Sequence, residues 1–258
     1  MTTQETEQST EPVTGSVTEP GPDVEFRSDM KVDLVRASAS DSDVLFAARV
    51  STAGEQSLAS VDADASKSLG LINFLMRDRH GSPFEHNSMT FYVSAPIFVF
   101  REFMRHRIAS YNEESGRYRE LRPVFYVPSH ERALVQQGRP GAYEFVGGTE
   151  EQHALVDGEI RSVCAHAYAS YQRMLEAGVA REVARAVLPV NIYSSMYVTM
   201  NARALMNFLS LRTKRPDSRF PSFPQREIEM VAEKMEDLWA GLMPATHTAF
   251  ETHGRVAP

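Results

Sequence analysis

Residues 105–120, RHRIASYNEESGRYRE, place four arginines, one histidine and three glutamates within sixteen positions. Because the arginine guanidinium is planar and always charged, it donates paired hydrogen bonds to phosphate or carboxylate groups. The arginines therefore indicate a site for an anionic ligand. Alternatively, the glutamates neutralise them on a solvated surface, where ion pairs are common and weak. Charge alone favours this second interpretation.

The small polar residues of the same segment favour ligand binding. Ser110, Asn112, Ser115 and Gly116 indicate a turn whose backbone N–H groups can approach a phosphate. Glycine permits the closest approach, because it has no side chain. A turn of this kind beside several arginines indicates a phosphate-binding loop.

The stretch before this segment, IFVFREFMRHR, predicts a helix that packs its apolar residues inward. Pro96 is expected at the first helical position, where its missing N–H has no intrahelical partner to lose. Two polar pairs then stand four residues apart on other faces, Arg101 with Arg105 and Glu102 with His106.

A second informative segment is NARALMNFLSLR, residues 201–212, which is apolar nearly all round. A helix of this composition is expected to be largely buried. Arg203, Asn207 and Ser210 fall on one stripe of it, and buried polar groups need partners. The stripe therefore serves either an internal hydrogen-bond network or the edge of a ligand, such as a ribose or a heterocycle.

Other reactive residues carry weaker signals. His80 and His86 flank a glutamate in HGSPFEH, and His247 and His253 stand six apart in HTAFETH, but neither spacing matches a metal motif. Cys164 lies in an alanine-rich helix and is predicted to be a small buried side chain. The sequence contains no nucleophile elbow, no P-loop and no dinucleotide-binding glycine motif.

The composition is that of a soluble globular protein: 258 residues, 42% hydrophobic and 24% charged, which allows one domain with a substantial core. No run of about eighteen apolar residues predicts a membrane span, and the N-terminus lacks the pattern of a secretory signal. The single cysteine excludes an intramolecular disulfide framework. We therefore expect a reducing, cytoplasmic setting.

The net charge of −7 is unevenly distributed. Residues 1–30 hold seven acids and one base, whereas the remaining residues hold 27 acids and 26 bases. Most of the chain is therefore nearly neutral, with its basic residues clustered. A local cationic pocket fits this balance better than a broad nucleic-acid surface, which usually makes a domain basic. We expect neither a nucleic-acid nor a membrane partner.

Patterning predicts a disordered acidic tail over residues 1–28 and a single domain over residues 29–258. Residues 128–150 are predicted to be loop-rich, because they contain several glycines. Periodicity predicts strands in KVDLVRA, SMTFYVSA, PVFYVP and IYSSMYVTM, and helices in DSDVLFAARVS, SKSLGLINFLMRD, EEQHALVDGEIRSVCAHAYASYQRMLEAG, AREVARAVL, ARALMNFLSL and QREIEMVAEKMEDLWAGL. The mixture indicates an α/β (α+β) class, a mixed sheet with flanking helices, without the regular alternation of a doubly wound fold.

The stretch from Arg105 to Ser115, Arg-His-Arg followed by seven residues and Ser, resembles the signature of the flavin-dependent thymidylate synthases. Three further segments occur in the order of that family, and the PQREIE that opens the helix after residue 224 also fits. These segments are HGSPFEH at 80–86, ARAVLPVNIY at 184–193 and NARALMNFLSLR at 201–212. The resemblance covers most of residues 45–212.

The resemblance implies an α/β fold assembled as a homotetramer, with FAD bound where subunits meet. It implies the conversion of dUMP to dTMP, with methylenetetrahydrofolate as the one-carbon donor and NADPH as the reductant of the flavin. Residues 29–258 would then form a single catalytic domain. The pyrimidine would be activated by electrostatics and a flavin hydride, because Cys164 is in an unpromising setting for a nucleophile.

Arg212 is the candidate catalytic residue, because a guanidinium beside the uracil edge would stabilise the negative charge that develops there. The alternative is an arginine that bonds the last carbonyls of its helix, and the resemblance favours catalysis. Residues that the resemblance places near FAD are Ser82, Arg105, His106, Arg107, Glu113, Asn201, Arg203 and Asn207. Those that it places near dUMP are Glu102, Arg105, Glu113, Glu114, Ser115, Gly116, Arg117, Arg185 and Arg212.

Ser115 is interpreted as an anion-binding residue rather than a nucleophile, because no histidine or lysine adjoins it to act as a base. The loop 213–224 is interpreted as shaping the approach of folate or NADPH. The main rival hypothesis is a nucleotide- or RNA-binding module without catalysis, whose affinity would fall steeply with salt and would not need flavin. An oligomeric scaffold without activity is a third.

Overall fold

The computed structural model describes residues 23–59, 65–139 and 142–258. Its centre is an antiparallel sheet of four strands in the order β2-β3-β8-β4: β2 Lys31–Ser38, β3 Ser88–Pro96, β8 Tyr193–Met200 and β4 Ser110–Glu113. Side chains alternate between the faces of a strand. Phe91 and Val93 therefore join Val198 and Met196, their partners on β8, in the core.

Helices cover this apolar face of the sheet and build the main core with it. They are α1 Asp41–Ala53, α2 Ala65–Arg77, α3 Ile97–Phe103, α6 Ala202–Arg212, α7 Arg226–Leu242 and α8 Pro244–Thr252. Phe103 of α3 stacks on Phe208 of α6 at 4.8 Å between ring centroids, and Trp239 of α7 is fully buried. Burial of each such ring stabilises the fold by about 1.5–3 kcal/mol.

A second, smaller core lies between α4 Glu150–Glu176, α5 Arg181–Ala184 and the parallel strand pair β1 Glu25–Arg27 and β5 Val124–Tyr126. Thr149 caps α4 by accepting a hydrogen bond from the Gln152 N–H. This core contains Phe125, Cys164 and Tyr168. A hairpin of β6 Val135–Arg139 and β7 Ala142–Val146 lies between β5 and α4.

Most of the strands and helices that periodicity predicts are confirmed, with the corrections that follow. Residues 128–150 contain the β6–β7 hairpin rather than loops alone, and AREVARAVL divides into α5 and a short 3-10 turn at 185–187. Residues 25–27, assigned to the tail, form β1; residues 1–22 lie outside the described part of the chain. Parallel and antiparallel pairs belong to separate sheets rather than to one mixed sheet.

The segment that carries the charged cluster differs most from its prediction. Pro96 precedes α3 as its N-cap, and the helix ends at Phe103, so Arg105 and His106 are not helical. Residues 110–113 form β4 instead of a turn and pair with β8. Tyr111 explains the change, because its hydroxyl donates to the carbonyls of Phe103 (2.9 Å) and His106 (2.6 Å) and ties the loop back to the end of α3.

Within the described residues, no helix is both long and apolar enough to cross a bilayer.

Candidate active site and ligand-binding surface

Arg212, the last residue of α6, lies against the end of α3. Its Nη1 donates to the Glu102 carboxylate at 2.6 Å, its Nη2 to the Glu102 carbonyl at 3.3 Å, and its Nε to His106 Nε2 at 3.0 Å. A guanidinium has five N–H groups. Three are therefore used to fix the side chain, and the other two have no hydrogen-bond partner among the described residues.

His106 is the neutral partner in this group. Burial and, to a smaller extent, the nearby Arg212 guanidinium lower its pKa to about 4, against the opposing charge of Glu102. A neutral imidazole can accept the Arg212 Nε–H, as the geometry requires. The edge contact with Phe208, 4.9 Å between ring centroids, holds the imidazole in place. Arg212, Glu102 and His106 are called the Arg212 group below.

Arg105 and Arg107 flank His106 and project from the surface. Within the described residues neither guanidinium has a hydrogen-bond or ion-pair partner, which distinguishes them from most arginines of the chain. Unpaired guanidiniums placed side by side are suited to phosphate, because each can donate two hydrogen bonds to it.

The residues after β4, Glu114 to Arg117, form a compact turn on which Arg185 packs. This turn and Arg185 are called the phosphate loop below, after the role that the sequence predicts for them. The carbonyl of Ser115 accepts the N–H groups of Tyr118 and Arg119, and its hydroxyl accepts the Arg117 N–H at 3.3 Å. Gly116 is buried, and a Cβ there would lie 3.1 Å from Leu121 and 3.3 Å from Arg185. The glycine therefore lets Arg185 approach the turn.

Carboxylates surround the phosphate loop. Arg117 pairs with Glu182 at 2.6 Å, and Glu114 pairs with Arg119 at 3.1 Å while accepting the Ser195 hydroxyl at 3.2 Å. Arg185 has no ion-pair partner within the described residues. The loop therefore offers one unpaired guanidinium, and Arg117 becomes available only when a ligand displaces an exposed glutamate.

Glu113, at the end of β4, borders a cavity of about 260 Å³ lined by residues of β3, β4 and β8. Burial raises the pKa of its carboxyl group, and the neighbouring Glu114 adds to the effect, whereas Ser194 and Arg185 oppose it. Ser194 Oγ is near enough to act on that pKa, yet it is buried without a well-formed hydrogen bond. The cavity lies on the opposite face of the sheet from the main core and is lined by Tyr92 and Tyr197.

The polar stripe of α6 forms a third group. Asn201 is the helix N-cap and accepts the Ala204 N–H at 2.9 Å. Arg203 pairs with Glu85 and donates from Nε to the Pro258 carbonyl at 2.6 Å. Asn207 is exposed and borders a cavity of about 310 Å³. Ser82, which is also exposed, begins the 3-10 turn that carries Glu85.

The structure thus places the predicted site residues in three groups rather than in one pocket. The Arg212 group lies at the C-terminal end of α6, the polar stripe runs along that helix from Asn201 to Ser210, and along the chain β4 lies between His106 and the phosphate loop. Within the described residues, no hydrogen bond or ion pair joins the phosphate loop to either of the other groups.

Two acidic partners were missed by sequence reasoning. Glu85 holds Arg203 from 118 positions away, and Glu182 holds Arg117 from 65 positions away. No periodicity or spacing connects residues so far apart. Glu85 belongs to the HGSPFEH segment. Its carboxylate forms an ion pair with Arg203.

Candidate nucleophiles are poorly placed. Cys164 is buried, and burial raises its pKa, although a hydrogen bond with Asn191 opposes the effect. A protonated, inaccessible thiol cannot attack a ligand. Ser115 has no histidine or lysine hydrogen-bonded to its hydroxyl within the described residues. These findings agree with the expectation that neither residue is a nucleophile.

The fold and these groups define an α+β protein with several exposed, unpaired arginines among its described residues and one further guanidinium, Arg212, fixed between a carboxylate and a neutral imidazole. A family profile described as thymidylate synthase complementing protein matches residues 33–245. This chain belongs to that family, whose relatives are flavin-dependent thymidylate synthases.

Similar proteins extend over nearly the whole chain. A flavin-dependent thymidylate synthase of Streptomyces coelicolor is 70% identical over 238 residues, 92% of this chain and 97% of that protein. One from Tropheryma whipplei is 62% identical over 233 residues, 90% of this chain and 97% of that protein. The crystal structure of the UMP/dUMP methylase PolB from Streptomyces cacaoi bound with 5-Br dUMP is 58% identical, with a TM-score of 0.87, and covers 91% of this chain and 100% of that one.

Proposed function

We propose that this chain converts dUMP to dTMP, with FAD as cofactor, methylenetetrahydrofolate as one-carbon donor and NADPH as reductant. Its family and its similarity to flavin-dependent thymidylate synthases support this function. The observation that carries the proposal is the Arg212 group: a fixed guanidinium with two free N–H groups, in a chain whose cysteine is buried. We place the enzyme in the cytoplasm, in agreement with its free thiol.

Arg212 would act on the uracil ring. Negative charge develops on the ring as its C5 position gains nucleophilic character, and fixed N–H donors stabilise that charge without reorganising. Glu102 and His106 hold the guanidinium, so its two remaining N–H groups keep one direction. Glu102 therefore positions Arg212. Its negative charge would otherwise repel a nucleotide phosphate, but the carboxylate is paired with the Arg212 guanidinium.

The phosphate loop would bind the dUMP phosphate and sugar. Arg185 is unpaired within the described residues, and the Arg117–Glu182 pair is exposed on both sides. Exposed ion pairs contribute little, so a doubly charged phosphate can replace Glu182 at small cost. Ser115 and the backbone at Gly116 add hydrogen bonds. Glu113 and Glu114 border the same surface.

FAD fits the remaining groups. Arg105 and Arg107 offer unpaired guanidiniums to its diphosphate, and neutral His106 can lie against a ring without adding charge. Asn207, beside a cavity of about 310 Å³, together with Ser82, Asn201 and Arg203, would bind the nucleotide part. When bound and reduced by NADPH, the flavin supplies the hydride that completes the methyl group.

We further propose a homotetramer with FAD at subunit interfaces. Support comes from the separation of the three groups in one chain and from the face of the sheet opposite the core. Thr90, Tyr92 and Thr199 on that face are partly exposed, and Tyr197 is 48% exposed. Aromatic residues of this kind are common in protein interfaces.

The test is an assay of dTMP formation from dUMP with methylenetetrahydrofolate and NADPH, run with and without added FAD. We expect turnover that depends on FAD and bleaching of the flavin by NADPH. The same assay with UMP in place of dUMP tests whether the chain also methylates UMP, a substrate named for PolB. A protein that takes up no FAD and forms no dTMP, but binds RNA with steep salt dependence, would be the non-catalytic module instead.

A further inference from the structure

We propose that Arg255 is a positioning residue for Arg212 and that it acts through the hydroxyl of Thr213. The inference rests on the proposed function, in which the Arg212 guanidinium acts on the uracil. It concerns residues outside the predicted site, although Arg255 also borders the cavity of about 310 Å³ beside Asn207.

Arg255 is buried, with 4% of its surface exposed, in the segment that follows α8. Its guanidinium donates to both carboxylate oxygens of Glu236 on α7, at 2.7 and 2.8 Å, and to Thr213 Oγ1 at 3.0 Å. Burial alone would raise the pKa of Glu236, but hydrogen bonds from His247 and Arg255 outweigh it and lower that pKa to about 2. The guanidinium therefore always faces a charged carboxylate.

Thr213 is the residue directly after Arg212, and it is held from three sides. Its N–H and its hydroxyl both donate to the Leu209 carbonyl, at 3.0 and 2.7 Å, and its own carbonyl accepts the Ser222 hydroxyl at 2.5 Å. The hydroxyl also accepts the hydrogen bond from Arg255. Because one backbone unit joins Thr213 to Arg212, these contacts fix where the Arg212 side chain begins.

The backbone around Arg255 is bent to reach this position. Gly254 and Arg255 both have positive φ, +74° and +57°, and the Arg255 N–H donates to the Phe250 carbonyl. Residues other than glycine adopt this conformation seldom, and it persists only where surrounding contacts maintain it. In addition, Arg255 Nε is buried and has no hydrogen-bond partner in the described parts of the chain.

These features are costly for a purely structural role. A buried ion pair often contributes no more stability than well-packed hydrophobic residues of similar volume. The backbone strain and the unpartnered Nε further reduce the stability that the Arg255 ion pair can contribute. A requirement for position explains the arrangement better, since the guanidinium is the only described group that donates to Thr213 Oγ1.

A metal site at the same place is the competing interpretation. Glu236, His247 and Glu251 offer ligand atoms within 4.8 Å of one another. However, Arg255 already uses both oxygens of Glu236, and its positive charge would repel a cation at that carboxylate. The cluster therefore serves the guanidinium.

The test compares Thr213→Val, which keeps the shape of the side chain but removes its hydroxyl, with Thr213→Ser, which restores the hydroxyl. Thr246→Val is the matched control, because Thr246 is also fully buried and its hydroxyl bonds Asp41 on a different helix. Arg255→Lys removes the donor from the other side, since an ammonium cannot reproduce the three hydrogen bonds of the fork.

Two properties are measured in each full-length variant: the NMR titration midpoint of His106 and the steady-state kinetics with dUMP. Arg212 and Glu102 are the charged groups that face His106, so its midpoint reports on the position of Arg212 without requiring turnover. For Thr213→Val and Arg255→Lys we expect a midpoint at higher pH and a kcat about 10- to 100-fold lower. The KM for dUMP should change less than about twofold, since the phosphate loop is intact.

Thr213→Ser and Thr246→Val should behave as the wild type in both measurements, although Thr246→Val should unfold at a lower temperature. An unchanged His106 midpoint in Thr213→Val would overturn the proposal even if activity fell. If the midpoint moves as expected but wild-type protein forms no dTMP, the proposed function fails while the positioning of Arg212 through Thr213 stands. Should Arg255→Lys not fold, Thr213→Val still decides the question.

Discussion

At the level of single residues, the Arg212 group would allow an arginine to act in a chain whose cysteine is buried. The guanidinium is charged at every pH of interest, and Glu102 fixes its direction without surrounding it. Because Glu102 is about one-third exposed, water screens its negative charge. The two outer N–H groups of Arg212 can therefore still polarise a ligand. The neutral imidazole of His106 adds an acceptor but no second positive charge.

Replacement of Arg212 tests this role. For Arg212→Ala we expect the purified protein to keep its flavin, while kcat for dTMP formation falls by about 100- to 1000-fold, since removal of one oriented donor has effects of this size. Flavin absorbance and a dTMP assay measure the two properties. Arg173→Ala, on the exposed surface of α4, is the control and should be unaffected. Full turnover by Arg212→Ala would remove the residue from the mechanism.

Arg107 tests the flavin site. Its guanidinium has no partner within the described residues, so its removal should leave the fold intact. We expect Arg107→Ala to be purified with a lower ratio of FAD to protein and to bind added FAD about tenfold or more weakly, because charged hydrogen bonds contribute about 1.5–3 kcal/mol. Fluorescence titration with FAD gives the affinity. A ratio equal to that of wild type would contradict the assignment.

His106 predicts a pH dependence of stability. Its pKa is lowered to about 4 by burial and then by Arg212, whereas the unfolded chain has the usual value of 6.5. Between these values the unfolded state binds more protons, so the free energy of unfolding must fall as pH falls from 6.5 towards 4. Solvent around the half-buried ring keeps this loss below about 3 kcal/mol.

Urea denaturation of the flavin-free protein at several pH values measures the effect. His106→Gln keeps an acceptor for Arg212 but cannot titrate, so its curve should be flatter than that of the wild type between pH 6.5 and 4. Carboxylates titrate in both proteins, and the comparison cancels them. Parallel curves would show that His106 does not carry the lowered pKa.

At the level of elements, the phosphate loop depends on one close approach. A Cβ at Gly116 would lie 3.1 Å from Leu121 and 3.3 Å from the Arg185 Cδ, tighter than ordinary contacts. The exposed Arg185 side chain is the freer of the two neighbours, so it would move. For Gly116→Ala we therefore expect a KM for dUMP raised by about tenfold, with FAD content unchanged.

Gly158→Ala is the matched control, because nothing lies within 4 Å of a Cβ at that position of α4. There the substitution should leave kinetics unchanged and raise stability by up to about 1 kcal/mol, the usual gain of alanine over glycine inside a helix. Thermal unfolding and steady-state kinetics on both variants give the comparison. A dUMP KM that stays at the wild-type value in Gly116→Ala would show that the close packing does not position Arg185.

At the level of the whole molecule, the proposed homotetramer would combine surfaces from different subunits in each site. A homotetramer should elute with about four times the 28.9 kDa mass of the chain. Co-expression of Arg212→Ala with Arg117→Ala, carrying different tags, would then form mixed tetramers. If one site takes Arg212 and Arg117 from two different chains, about a quarter of the sites regain both residues.

The measurement is the specific activity of doubly tagged protein, compared with each inactive variant alone. We expect a gain well above the sum of the two parents. Activity no higher than that of the parents, in a confirmed mixed tetramer, would mean that each site is built within a single chain.

The sequence by itself determined the family, the polar stripe of α6 and most strands and helices, because these features depend on residues that are close together in the chain. It also identified Arg105, Arg107 and Arg212 as candidates. It did not indicate the β6–β7 hairpin or the strand β4, whose formation depends on pairing with distant residues.

Only the tertiary structure decided which groups meet. Arg212 lies 106 positions from His106 and 110 from Glu102, and Arg255 lies 42 positions from Thr213. Contacts over such separations arise when helices pack on a common sheet, and burial then sets the charge of the imidazole and the direction of the guanidinium. The residue types determine which chemistry is possible. Packing determines the direction of the Arg212 guanidinium and the protonation state of His106.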